Sequence, residues 1–335
     1  FPAIFSGKNS EKENIAAFGG DPDCVTVFGQ SAGSTHIGSL LVSPLAKGLF
    51  ERAILMSGSH LAQWTVEQSS RVSEMLFDFY GIAHTKEALL ALPHEEMLNF
   101  RRLMAEKNAD PKWAKYARGN TTLFKPYVDG EVLTKRVIDS VADGTGKDVD
   151  VMIGSTADEW RYVTVPSGEI DRMSPEMSDF LLKSIDAFAS LAEEYRKHGR
   201  GKTPGEIYTA LQSDLIFRIP TNMLLEARVR GGGKTWAYSF NWESPAYGGK
   251  LKAAHGCDIP FAFDIINDKA YKDKTGDNPP QNLADAMHKT WMDFARTGKP
   301  GWTPFDTQKR LTMVFNETSR EVSDPWKFER EAMKL

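Results

Sequence analysis

Val25-Thr-Val-Phe-Gly-Gln-Ser-Ala-Gly33 carries an apolar alternation (Val25, Val27, Phe28) into a tight turn of small residues around Ser31. A short helical pattern, Ser34-Thr-His-Ile-Gly-Ser-Leu-Leu41, runs out of that turn. Strand, sharp turn and helix form the setting in which G-x-S-x-G works as a nucleophile elbow. Gly29 and Gly33 lack a Cβ, which permits a sharp turn and a close approach of the following helix to the strand. Ser31 at the apex is expected to project its hydroxyl from the turn. The N–H of Ala32, at the helix start, is expected to point at a developing oxyanion. This reading predicts a strand over Cys24–Phe28 and a helix over Ala32–Leu41.

Working outward, Glu11–Phe18 reads as the last turns of a helix stopped by Gly19-Gly20, with Asp21-Pro22 beyond it, and residues 1–10 as a ragged end. Ala53–Met56, closed by Ser57-Gly58-Ser59, and Asp148–Gly154 are short buried-strand candidates bounded by turn formers. Residues 64–105 and 175–230 read as helices with short breaks, and Leu133–Val141 as another helix. Gly231-Gly232-Gly233 precedes a strand over Thr235–Phe240, and Asn241–Gly256 and Asn267–Pro279 read as loops. Leu283, Met287, Trp291 and Phe294 line one face of a helix that opens after Pro279-Pro280 and stops at Gly298. Leu311–Phe315 is the last predicted strand. Strands alternating with helices predict an α/β fold with a mostly parallel sheet. The helical insertions exceed what such a sheet needs.

Composition sets the class. The 335 residues are 41% hydrophobic and 26% charged, as in ordinary globular chains. The net charge of −4 is spread along the chain and leaves no nucleic-acid footprint. The local basic run Arg196–Lys202 reads as a solvated helix end. No apolar run approaches the roughly 18 residues of a membrane span. Two cysteines, Cys24 and Cys257, are too few for a disulfide framework. Asn120 and Asn316 head glycosylation sequons, which matter only in a secreted chain. The start, Phe-Pro-Ala-Ile-Phe-Ser, has neither an initiator Met nor a signal-peptide layout, so a fragment is expected and the compartment is not legible there. No H-E-x-x-H and no G-x-x-x-x-G-K-[ST] occurs, and neither a metal nor a cofactor is expected.

A serine nucleophile needs a base, and the base needs an orienting acid. The elbow motif predicts these in the chain order Ser, acid, His. The histidines are 36, 60, 84, 94, 198, 255 and 288. His36, His60, His84 and His94 precede any acid placed after a later strand; His198 sits in a charged helix end and His288 within the C-terminal helix. His255, in the loop Ala-Ala-His-Gly-Cys-Asp, can reach a site at the end of a sheet, and by elimination it is the base. Asp158 and Glu159, which follow the predicted strand Asp148–Gly154, both fit the acid. Cys257, two residues after His255, raises a Cys/His pair as a further candidate nucleophile.

The stretch Glu13–Gly33 resembles the nucleophile region of the type B carboxylesterases, the group that includes cholinesterases and bacterial para-nitrobenzyl esterases. The similarity continues in order through SPLAKGLFERAILMSGS, MIGSTADEW, SDLIFRIP, YSFNWESP, AAHGCDIPFAF and WMDFARTGKPGWTPFD, to about Asp306. The IPFAF and WESP blocks are closer to the bacterial and fungal branch than to the cholinesterases. The resemblance implies an α/β-hydrolase fold, with residues 1–12 an irregular N-terminal remnant and 13–335 a single, partial domain lacking the N-terminal strands. It also implies a small-molecule ester substrate, with Ser31 as nucleophile, Glu159 as acid, His255 as base and Ala32 as oxyanion donor. Ser57 and Asp258 match a network supporting the histidine.

Three departures from the family pattern stand out. Gln30 replaces the usual Glu, Trp160 replaces the Gly of D-E-G, and no His-Gly-Gly, the loop that supplies the family's other oxyanion donors, occurs in the chain. Losing one oxyanion donor typically costs about 10²–10³ in rate. The expectation is therefore a truncated serine esterase with weakened activity. The alternatives are a non-catalytic binding or adhesion module of the same fold and an incomplete gene product. Trp64, Trp113, Trp160 and Trp242 are candidates to line an ester pocket, but as single residues they read first as core or loop anchors.

Overall fold

The computed structural model describes residues 12–106, 125–183 and 189–333. Residues 1–11, Trp113 and the Asn120 sequon lie outside them. Two compact units divide the chain, residues 1–61 with 137–335 and residues 62–136.

The larger unit is built on a six-stranded sheet in sequence order: β1 Thr26–Gln30, β2 Arg52–Met56, β3 Asp150–Thr156, β4 Thr235–Phe240, β5 Leu311–Phe315 and β6 Arg320–Ser323. The first five strands run parallel and β6 is antiparallel. Thr235–Phe240 coincides with its predicted range, whereas β1 and β3 begin and end two residues later than predicted. Apolar residues mark burial, but pairing runs on through small polar ones: Gln30 pairs with Met56 and Thr156 with Phe240. β6 escapes the sequence reading because Arg-Glu-Val-Ser is mostly solvent-facing and carries no apolar alternation.

Helices cover both faces of the sheet, as a parallel sheet requires. We label α1 Ala32–Val42, α2 Val66–Tyr80, α3 Pro204–Ser213, α4 Ile219–Arg230 and α5 Gln281–Thr297. α5 stops at Gly298 in the left-handed region, as predicted, and buries Leu283, Met287, Trp291 and Phe294. Strand alternation gives one face of β4 its aromatic side chains: Trp236 meets Phe294 at 5.6 Å and Tyr238 meets Trp291 at 5.1 Å between ring centroids. On the other face Ala237 lies with Thr221 and Leu225 of α4.

Tyr238 is admitted by a glycine. A Cβ on its register partner Gly154 would fall 2.3–2.4 Å from the tyrosine ring.

The smaller unit holds three described helices, Val66–Tyr80, Lys86–Leu90 and His94–Glu106. Thr65 and Gln68 form a capping box at the start of α2, and Met75, Leu76 and Phe100 form a small core. The helix expected from Leu133 starts only at Val137. Asp129 Oδ1 accepts from the N–H groups of Glu131, Val132 and Leu133 at 3.0, 2.8 and 2.9 Å, which holds that stretch in a turn. Likewise Asn267–Pro279, read as loop, contains one turn of 3₁₀ helix, Lys269–Tyr271, and one of α-helix, Lys272–Thr275.

The closest backbone approach in the elbow is at Gly29. A Cβ there would lie 2.5 Å from Gly33 C, 2.7 Å from Gly33 O and 2.9 Å from Ile37 Cδ1, whereas a Cβ on Gly33 meets nothing within 4 Å. Gly33 thus contributes a bare backbone for Gly29 to touch and is free to carry a methyl group. We expect Gly29→Ala to cost about 1–3 kcal/mol or more in urea unfolding. Gly33→Ala, a methyl gained in the first turn of α1, should be neutral or stabilising by up to about 1 kcal/mol through the less flexible unfolded chain. Equal effects from the two substitutions would contradict this packing.

Candidate active site

The end of β1 and the start of α1 place Ser31 between them with φ 57° and ψ −120°. That left-handed position is uncommon for a residue with a Cβ and is held from outside. The Ser31 N–H donates to Met56 O at 2.9 Å, and its carbonyl accepts from Thr35 N–H at 3.0 Å and Thr35 Oγ1 at 3.3 Å. Thr35 Oγ1 also accepts from Ser59 N–H at 3.1 Å, tying the turn after β2 to the elbow. Among the described residues the Ser31 hydroxyl has no hydrogen-bond partner. Ala32 is the first residue of α1, so its N–H is one of the donors a helix leaves unpaired at its start.

The candidate acid and base, Glu159 and His255, come from the loops after β3 and β4. Glu159 is completely buried. Its Oε1 accepts from Thr156 N–H at 2.7 Å, and its Oε2 faces His255 Nδ1 at 2.5 Å. The two loops are also joined through the backbone: His255 N–H donates to Glu159 O at 3.1 Å, Asp158 N–H to Ala253 O at 2.9 Å and Ala157 N–H to Phe240 O at 2.9 Å. Asp158 is turned elsewhere, its carboxylate 3.5 Å from Arg161 Nε. Of the two candidate acids, only Glu159 meets the imidazole.

Because a carboxylate only accepts, Nδ1 carries a proton toward Glu159, and in the neutral ring Nε2 is then the nitrogen with the lone pair. Gln30 Nε2 lies 3.0 Å from that nitrogen. His255 therefore reaches the residue immediately before Ser31. Tyr162 and Phe217 pack on the imidazole with centroids 4.9 and 4.7 Å away. Neither aromatic was legible as a site residue, since each comes from a helix whose position depends on the tertiary fold. Trp160 takes an ordinary right-handed φ of −72°, so this turn does not need glycine. Its N–H donates to Ser213 Oγ at 2.9 Å, and its ring packs on Phe217 at 6.4 Å.

Asp258 is fully buried one turn beyond the histidine, and its Oδ2 accepts from Tyr238 Oη at 3.3 Å. Burial, with the nearby Glu159 charge, pushes the Asp258 carboxyl from 3.8 up to about 7, while His255 and the Tyr238 hydroxyl pull it the other way. Ser57 is buried with φ 50°, and its N–H donates to Gly154 O at 2.8 Å. Ser57 Oγ and Asp258 Oδ1 have no hydrogen-bond partner among the described residues. Cys257 is not paired with the imidazole. Burial pushes its thiol up to about 12, leaving it protonated, and its sulfur faces Lys274 O at 3.9 Å.

The other tryptophan candidates fall elsewhere. Trp242 is buried against Phe261 at 5.0 Å, and Trp64 belongs to the smaller unit. In the basic run, Arg196, Lys197 and Arg200 pair with Glu193, Glu194 and Glu329. Among the described residues no cluster of His, Cys, Asp and Glu is arranged to hold a metal ion, and no helix is long and apolar enough to cross a membrane.

A sequence profile of the carboxylesterase family matches residues 12–330. The para-nitrobenzyl esterase of Bacillus subtilis (strain 168) is 30% identical over 94% of this chain and 63% of its own length. The phenmedipham hydrolase of Pseudarthrobacter oxydans is 28% identical over 93% of this chain and 63% of its own. The crystal structure of a Geobacillus stearothermophilus carboxylesterase superposes with a TM-score of 0.81 at 30% identity, over 98% of this chain and 67% of that one. The chain thus spans less than two thirds of the length of the two sequence relatives.

Asp258 makes stability fall as pH rises. Below its unfolded value of 3.8 both states hold the proton, and above about 7 both are ionised and the folded state bears the full cost of the buried charge. Between those limits the folded state alone keeps the proton. Asp258→Asn, measured by denaturant unfolding, should remove that slope and stabilise the protein at mildly alkaline pH by on the order of a few kcal/mol. A slope unchanged by the substitution would contradict this assignment.

Proposed function

The chain belongs to the carboxylesterase family, and from that premise we propose that it hydrolyses small-molecule carboxylic esters through an acyl-enzyme formed on Ser31. The observation that carries the proposal is the buried Glu159–His255 pair, whose other imidazole nitrogen reaches the residue beside a serine held at positive φ. Ser31 Oγ attacks the ester carbonyl while His255 Nε2 takes its proton. The tetrahedral oxyanion is met by the N–H of Ala32. Collapse expels the alcohol, which leaves with the proton from Nε2. Water, deprotonated by the same nitrogen, then releases the acid and restores Ser31. Glu159 holds the ring in the tautomer this cycle needs and stabilises the imidazolium. We treat residues 13–335 as one catalytic domain that carries residues 62–136 as an insertion in its chain.

The Ala32 N–H is the donor that the elbow itself contributes. A polypeptide of these 335 residues carries no His-Gly-Gly block, and each oxyanion donor is worth about 10²–10³ in rate. Slow turnover is therefore expected of these residues on their own.

The test is p-nitrophenyl ester hydrolysis by the parent chain and three variants. Ser31→Ala and His255→Gln should abolish whatever turnover the parent shows. Glu159→Gln, which leaves the ring in the wrong tautomer, should lower kcat by about 10⁴. Turnover that survives Ser31→Ala would sink the proposal. Complete absence of turnover in the parent would favour a non-catalytic binding role for the same fold.

A further inference from the structure

Among the described residues the side chain of Gln30 is the recorded hydrogen-bond partner of His255 Nε2, and the proposed reaction does not use it. Its carboxamide nitrogen lies 3.0 Å from His255 Nε2. With Glu159 on Nδ1, Nε2 is a lone pair, so the contact is a hydrogen bond donated by the Gln30 amide. Gly256, the residue after His255, stands at φ 74°, and a Cβ there would be in ordinary contact with Gln30 Nε2, at 3.7 Å. Tyr162 and Phe217 cover the ring with their aromatic surfaces. The Ser31 hydroxyl has no hydrogen-bond partner among the described residues. A glutamate, the residue usual in the resembling family, has no proton to give to Nε2 when ionised. The interaction is a property of the glutamine.

We propose that Gln30 is a positioning residue that caps His255 Nε2 in the resting site and competes with the Ser31 hydroxyl for it. The proposal rests on the reading of Ser31 as nucleophile and His255 as base. One lone pair accepts one good hydrogen bond. The Gln30 amide must therefore release Nε2 before Ser31 Oγ–H can deliver its proton there. Once Nε2 is protonated it becomes a donor, and the amide can face it only by presenting its carbonyl oxygen. The same hydrogen bond holds the ring in the tautomer that Glu159 selects. Gln30 thus orders the base at the expense of a step before chemistry.

Two readouts separate this from a merely structural role. Chain labelled with ¹⁵N-histidine is compared for the parent, Gln30→Met, which keeps the length and loses the donor, and Gln30→Ala. The His255 resonances are identified by their absence in His255→Gln. At one mildly alkaline pH and in the Ser31→Ala background, where the competing hydroxyl is absent, loss of the donor should move the Nε2 resonance downfield, toward the value of an unbonded nitrogen. The rate of Ser31 labelling by a fluorophosphonate should rise about 2- to 10-fold, the factor of one ordinary hydrogen bond. An Nε2 resonance that Gln30→Met leaves in place in the Ser31→Ala background, or a labelling rate that fails to rise when Ser31 is intact, overturns the proposal. If no chain is labelled at Ser31, the hydrolase reading fails, and the resonance alone still decides whether Gln30 holds the base.

Discussion

The carboxylate of Glu159 is fully buried, and the site depends on its being satisfied there. An ionised carboxyl away from water is costly unless each oxygen finds a donor. One oxygen takes the N–H of Thr156, at the end of β3, and the other takes His255 Nδ1. Because Thr156 also pairs with Phe240 in the sheet, the carboxylate is referenced to the β3–β4 ladder rather than to a mobile loop. The backbone bonds between Asp158 and Ala253 and between Glu159 and His255 then fix the two loops to each other. A charged guanidinium completes the support: Arg218, itself buried, donates to Ala157 O, pairs with Asp214 and stacks on Trp326 at 3.8 Å. Burial lowers the Arg218 guanidinium to about 10, so it stays a cation at neutral pH.

Two acids stand near one imidazole, and their environments differ. Glu159 has the ring and a backbone donor. Asp258 has one tyrosine hydroxyl, no solvent and the Glu159 charge nearby, and it keeps its proton up to about neutrality. Like charges in low dielectric do not both ionise cheaply. The tyrosine that serves Asp258 is set in place by an absent side chain, Gly154, on the neighbouring strand. Sheet packing and site electrostatics are thus one arrangement: the aromatic face of β4 that forms the core also delivers the hydroxyl to Asp258.

Much of this was legible in the chain, and the limits follow from physics. The elbow, β4 and the extent of α5 were readable because local rules decide them: small residues at a turn, a buried aromatic alternation, a glycine stop. Strand ends drifted by two residues because hydrogen bonding continues past the last apolar side chain. The antiparallel edge Arg320–Ser323 has almost nothing apolar to reveal it. For the acid, the residues left Asp158 and Glu159 level; family resemblance pointed to Glu159, and the fold turns Asp158 toward Arg161 while Glu159 faces the ring. Gln30 was visible as an unusual residue beside the serine, but its partner lies 225 positions away and only the fold brings them together. Tyr162 and Phe217 reach the imidazole by the same route.

The central claim is that Ser31 is a nucleophile served by His255. The most direct measurement is intact-mass and peptide mapping of the chain after exposure to a fluorophosphonate. The account predicts one adduct per chain, on the peptide holding Ser31, and none in the Ser31→Ala or His255→Gln chains. An unmodified parent chain, or an adduct at a different residue, would contradict it.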